Sequence, residues 1–239
     1  MSILERLRET AQQYPMLTRG WWVSTAACAL CATALLVATA VETPKVIRFV
    51  PPQPPEIAHD LVVRNAPDQS GRKATFRLLL FTDEFRWRLS SSASLENGLV
   101  EPEFTDAMKA VLNNAREIIC VGASSQELPQ GVPFEVGKAA EERRAARRAE
   151  QIAVWVRKAL TRPVPVRKLN VGYHTPTERS NNTSDQRRVV IILVLERDDR
   201  TNIDQALREA MERESARAPI LDALLKEYSL GGGANFTWE

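Results

Sequence analysis

The residues best equipped for chemistry in this chain are arginines. Arg143, Arg144, Arg147 and Arg148 fall in one run, with Arg144 and Arg148 one helical turn apart, as are Arg143 and Arg147. On a helix the four make a broad cationic face near its start. Cations there oppose the helix dipole, and Glu141 and Glu142 offset them. Such a face is either solvated or grips a carboxylate through the two-pronged guanidinium. A second pair, Arg187 and Arg188, opens a strongly apolar run. One of the two must point into the domain or across a sheet, where it needs an acidic partner.

Other reactive constellations are thin. The two histidines are His59, in a proline-rich segment, and His174, after an apolar run. There is no G-x-S-x-G elbow, no glycine-rich phosphate loop following a strand, and no His or Cys cluster at ligand spacing. No catalytic residue, cofactor or metal is therefore expected, and the chain does not read as an enzyme. Of three cysteines, Cys28 and Cys31 share a helical face within an apolar stretch. They read as small packing residues or as a disulfide between two copies of that helix. Cys120 stands alone, so no disulfide framework holds the rest. A net charge of +2 is too balanced for a nucleic-acid binder.

The elements that must position the arginines follow from periodicity. Residues 20–41 carry no charge and follow the basic residues Arg6, Arg8 and Arg19. As a helix this stretch would reach roughly 30 Å, the hydrocarbon thickness of a bilayer. It is longer than the apolar core of a cleaved signal peptide, so it reads as an uncleaved transmembrane anchor with Trp21 and Trp22 at one interface. The charge bias puts residues 1–19 in the cytoplasm and the bulk of the chain outside. Residues 42–74, with Pro44, Pro51, Pro52, Pro54, Pro55 and Pro67, read as a linker reaching at most roughly 90 Å.

A folded domain is expected over 75–198. Apolar runs predict strands at 76–81, 117–122, 166–173 and 186–195, the last without alternation and so buried on both faces. Helices are expected at 103–115 and 137–160, the second with Ala145, Ala149, Ile152, Ala153, Val156 and Leu160 as its apolar stripe. The order strand, helix, strand, helix, strand, strand predicts an α/β (α+β sandwich) fold: a mixed βαβαββ sheet with helices on one face. Residues 199–230 predict an amphipathic helical extension interrupted at Pro219. Residues 231–239 read as a flexible tail after Gly231, Gly232 and Gly233.

Taken in order, these motifs resemble the OmpA C-terminal-like family, the peptidoglycan-binding domains of outer-membrane proteins, lipoproteins and flagellar stator B-subunits. The resemblance covers about 74–197. It rests on Arg148-Ala149 with Ile152 and Trp155-Val156, and on Asn182-Thr183-Ser184-Asp185-Gln186-Arg187-Arg188-Val189, similar to the family's Asn-x-x-x-Asn-Arg-Arg-Val. The resemblance implies that Arg148, with Arg144 as the alternative, takes the carboxylate of a peptidoglycan stem peptide. Ser124 and Ser125 would stand at the family's acid position, with Arg187 nearby. No acid occupies that position; Glu127 is displaced from it, and the loop from Gly122 to Arg148 is longer than the family's. The implied protein sits in the bacterial inner membrane and presents a periplasmic domain that tethers an envelope assembly to the wall. Its partners would be peptidoglycan, the inner membrane and other envelope proteins. The alternative is a scaffold subunit of a secretion or envelope complex whose domain no longer binds peptidoglycan. The apolar stretch holds no carboxylate or other charged residue, which argues against the proton-conducting role of a stator subunit.

Overall fold

A computed structural model describes residues 55–82, 85–127, 131–175, 183–232 and 236–238. All belong to the second of two compact units, Pro52–Glu239. The anchor at 20–41 and the first part of the linker lie outside the described residues. Among the described residues no helix is long and apolar enough to cross a membrane.

Six strands form one sheet: β1 (Ile57–Pro67), β2 (Lys73–Phe81), β3 (Glu117–Ser124), β4 (Val166–Tyr173), β5 (Val190–Arg197) and β6 (Thr237–Trp238). Their order is β1-β2-β5-β3-β4-β6. The β3–β4 pair is parallel and the other pairs are antiparallel. Among the described residues four helices accompany the sheet: α1 (Asp106–Asn113), α2 (Phe134–Ala159), α3 (Ile203–Glu214) and α4 (Pro219–Lys226). The run from β2 to β5 is thus the expected βαβαββ order, and the α/β class is as read from the sequence.

Burial of the central strands on both faces explains the layering. On one face Leu79, Ile118, Cys120, Ile191 and Leu193 pack with Ile152 and Trp155 of α2 and Met108 and Leu112 of α1. On the other, Leu78, Ile119, Val121 and Ile192 pack with Leu207 and Met211 of α3 and Leu224 of α4. The two helices within the βαβαββ run share one face as expected, and the C-terminal helical extension takes the other. Strands apolar on both sides need two covers, and the amphipathic C-terminal helices supply the second.

Two boundaries are corrected. The expected linker 42–74 contains β1, which pairs with β2 along most of its length. Its exposed residues are mostly polar, Ala58 and Val62 apart, and prolines flank it, as suits an edge strand, so composition alone reads it as a linker. Asn65, at φ 53°, sits where the β1 register shifts, a bulge in that edge. The expected flexible tail 231–239 instead adds β6 to the outer edge of β4, with Leu169 opposite Trp238 and Asn170 opposite Thr237.

Gly122 sets the distance between α2 and the sheet. A Cβ at this position would lie 1.9 Å from the Ala145 carbonyl oxygen and 2.7 Å from the Ala149 nitrogen. Only glycine lets the helix come this close to β3. The arginine-bearing turn of α2 is thereby pressed onto the C-terminal end of β3.

Candidate functional site

Arg148 follows from that approach. Its residue is fully buried. Its Nε donates to the Ser91 carbonyl at 2.9 Å and its Nη1 to the Ala123 carbonyl at 2.7 Å. The guanidinium carbon stands 5.6 Å from the centre of the Trp87 ring. Trp87 in turn stacks on Trp155 at 5.1 Å and 18°. Arg148 Nη2 and the indole N–H groups of Trp87 and Trp155 are buried with no hydrogen-bond acceptor among the described residues.

The remaining expected residues gather around this arginine but do different work. Ser124 donates its hydroxyl to Glu141 Oε2 at 2.5 Å, and Arg144 pairs with Oε1 of the same carboxylate. Glu141 is itself fully buried. Arg187 lies in a 3-10 turn, Ser184–Arg187, rather than in the strand expected from 186. Its Nη1 donates to the Trp87 carbonyl at 2.8 Å and to Glu96 at 3.1 Å, which supplies the acidic partner that its position demands. Ser125 is buried beside Ser124. Glu127 accepts a hydrogen bond from the Thr183 hydroxyl, closing the loop after β3 against the start of the 3-10 turn.

The cluster therefore sets Arg148 within the field of two further guanidinium groups, Arg144 and Arg187, with the buried Glu141 carboxylate bound to Arg144. Burial first, then Arg144 and Arg187, pull the Arg148 pKa down to about 9, with Glu141 opposing the fall. The side chain stays charged at neutral pH. Burial pushes the Tyr228 phenol well above its usual value, and its hydroxyl donates to the Gln186 carbonyl at 2.9 Å.

No family model, curated protein or solved structure matches this chain. The site is consequently read from its own geometry. Glu141 joins Ser124 to Arg144, the residue expected as the alternative to Arg148. Trp87 and Ser91, on the segment between β2 and α1, complete the enclosure. Their signal in the sequence was faint: a tryptophan followed by a serine-rich patch, far along the chain from α2. A carboxylate cannot reach the Arg148 fork in this arrangement, because two of its nitrogens hold main-chain carbonyls and the residue has no exposed surface.

A second polar group lies at the end of β4. His174 Nε2 meets Glu227 Oε2 at 2.8 Å, its ring is edge-on to Tyr228 at 5.0 Å, and its Nδ1 is buried without a partner among the described residues. Burial lowers its pKa despite the carboxylate beside it. The cleft alongside, about 490 Å³, is lined by His59, Asp185, Arg188, Ile220 and Glu227 among others. Cys120 is sealed in the core, and burial pushes its thiol far above the range in which a cysteine reacts.

Proposed function

We propose that the chain is a single-pass inner-membrane protein whose OmpA-like domain stands in the periplasm as a scaffold in an envelope or secretion assembly, without gripping peptidoglycan through Arg148. The observation that carries this reading is the enclosure of Arg148, whose Nε and Nη1 are held by the Ser91 and Ala123 carbonyls. An ammonium group on a stem peptide would also lack a partner, since Ser124 and Ser125 stand where the family has its acid. Hydroxyls hydrogen-bond but do not neutralise charge. The βαβαββ order, the apolar stretch at 20–41 and the Arg187-Arg188-Val189 motif support the family and the location.

The wall-binding reading has one observation in its favour, the acceptorless Nη2 of Arg148 beside Trp87. Displacing Ser91 would free a fork there. Co-sedimentation of the full chain, in detergent micelles, with isolated sacculi separates the two. The scaffold reading expects wild type and Arg148→Ala both to stay in the supernatant. Wild type that pellets with sacculi, and is released by Arg148→Ala, would establish the wall site instead. Labelling of a Val100→Cys variant by a membrane-impermeant maleimide in spheroplasts tests the location. Val100 is 64% exposed, so protection from the reagent would place the domain in the cytoplasm and overturn the assignment.

A further inference from the structure

The C-terminal peptide is bound as a ligand would be. Phe236 is buried among the residues of the α3/α4 core, and Trp238 packs against the same cluster. The two rings, two residues apart, point to one side and meet edge-to-face at 6.0 Å. Thr237 between them is exposed. Each end of the peptide has its own clamp. Asp204 of α3 accepts the Phe236 N–H at 2.9 Å, and Arg208, one turn on, lies 3.9 Å over the Phe236 ring. Arg167 of β4 lies 4.0 Å over the Trp238 ring and is held from behind by Glu117 at 3.1 Å. This is β-augmentation: main-chain pairing along an open edge, with pockets reading alternate side chains.

The attachment is short. Two residues pair with β4, whereas the preceding chain is firmly seated: a Cβ on Gly231 would fall 1.9 Å from the Leu224 carbonyl oxygen. A two-residue edge strand opens at a small fraction of the global unfolding free energy. Each opening bares the outer edge of β4, and an unpaired edge is a template for another strand.

We propose that the outer edge of β4, together with Asp204 and Arg208 of α3, is an acceptor groove for an extended aromatic-x-aromatic peptide, filled by residues 236–238 of a second copy of this chain. The donor tail carries the sequence that the groove already accepts, so exchange repeats every contact and costs only the association. From Gly231 the five steps to Phe236 reach at most ~17 Å, so the two acceptor edges must lie side by side. That geometry favours reciprocal exchange about a two-fold axis, which closes at a dimer. The exchange does not depend on where the protein resides.

The test uses the full chain in detergent micelles, beside a version ending at Gly232. A fluorescent peptide of residues 233–239 should bind the shortened chain and bind the intact chain at least tenfold more weakly, because the intact groove is filled. The same peptide carrying Phe236→Ala and Trp238→Ala should not bind. Mixing the shortened chain with an Asp204→Ala/Arg208→Ala copy that keeps its tail should give a heterodimer by analytical ultracentrifugation. Neither should form it alone. A shortened chain with unchanged circular dichroism and melting that ignores the peptide overturns the groove. Peptide binding without the heterodimer overturns the second copy as occupant. If shortening unfolds the chain, Phe236→Ala/Trp238→Ala in the full chain serves as the acceptor with an empty groove.

Discussion

Arg148 and Arg208 stand on opposite faces of the sheet, and both combine a main-chain carbonyl with an aromatic ring. Arg208 donates to the Gly231 carbonyl at 3.0 Å and covers Phe236; Arg148 donates to Ser91 and Ala123 and lies near Trp87. They differ in what balances the charge. Arg208 has Asp204 at 3.3 Å and remains part-exposed. Among the described residues Arg148 makes no bond to a carboxylate, and Glu141, which attracts it through space, is engaged by Ser124 and Arg144. A buried cation satisfied mainly by carbonyls is a strut: removing it leaves those acceptors empty. A part-exposed cation with its own acid is a clamp, which can release its strand at modest cost. The α1/α2 side of the sheet is therefore built to stay shut and the α3 side to exchange.

The sharpest way to break the contrast is Gly122→Ala. The added methyl collides with the α2 backbone, so the strut side should lose about 4 kcal/mol or more, read as a large fall in the denaturation midpoint. The β6 contacts lie beyond β4 from this change and should not rescue it.

Arg148→Ala comes next, with an expected loss of about 3 kcal/mol from unsatisfied carbonyls and a cavity beside Trp87. Arg148→Met, which keeps the stem without the charge, should recover the cavity part of that loss and leave the carbonyl part. Arg208→Ala should cost only about 1 kcal/mol in the same denaturation series while loosening the tail. Equal losses at the two arginines would erase the distinction drawn between them.

Acid should act on the α3 side before the strut. Asp68, in the turn between β1 and β2, accepts hydrogen bonds from Ser70, from Arg72 and from the Asn202 N–H at the start of α3. The Ser70 and Asn202 bonds lead in holding its carboxyl down at about 2, against an ordinary value of 3.8. A lowered acid gives stability that is whole above 3.8 and lost as pH falls toward 2, so Asp68→Asn should flatten that limb of a pH–melting curve.

The smallest effect is expected at His174. A base with a lowered pKa is protonated more readily in the unfolded chain, so its neutral folded form favours folding above 6.5. That contribution shrinks as pH falls below 6.5, and His174→Gln should remove the slope between pH 6.5 and the folded-state pKa. A slope that persists in the variant would assign it to another group.

How much of this was legible in the sequence depended on the range of the interactions. The span of β4 at 166–173 and the apolar stripe of α2 rest on local periodicity, and both appear as expected, with Leu160 just past the helix end. β5 starts at Val190 because Tyr228 and Gln126 hold Gln186 in the preceding 3-10 turn, a tertiary effect invisible to a local pattern. β1 was hidden by its flanking prolines and mostly polar exposed residues, and β6 by its length and the glycines before it. At the site, Arg144 and Arg148 could be placed on one helical face by spacing. That Arg148 would meet the carbonyl of Ser91 could not, because no periodicity links residues so distant. The buried role of Glu141 was likewise hidden, since next to four arginines it read as a surface counter-charge.

The place of β5 in the sheet has a consequence for how the protein forms. It is inserted between β2 and β3, pairing Phe76 with Val194 and Glu117 with the same valine. The hairpin of β1 and β2 and the unit β3-α2-β4 are each local, yet neither can join the other until β5 has been made. Contacts that span most of a domain slow folding, because the loop must close before any pairing rewards it. Until then β2 and β3 each present an apolar edge to solvent. The chain's most vulnerable interval during synthesis is thus the one just before its strongest strand arrives.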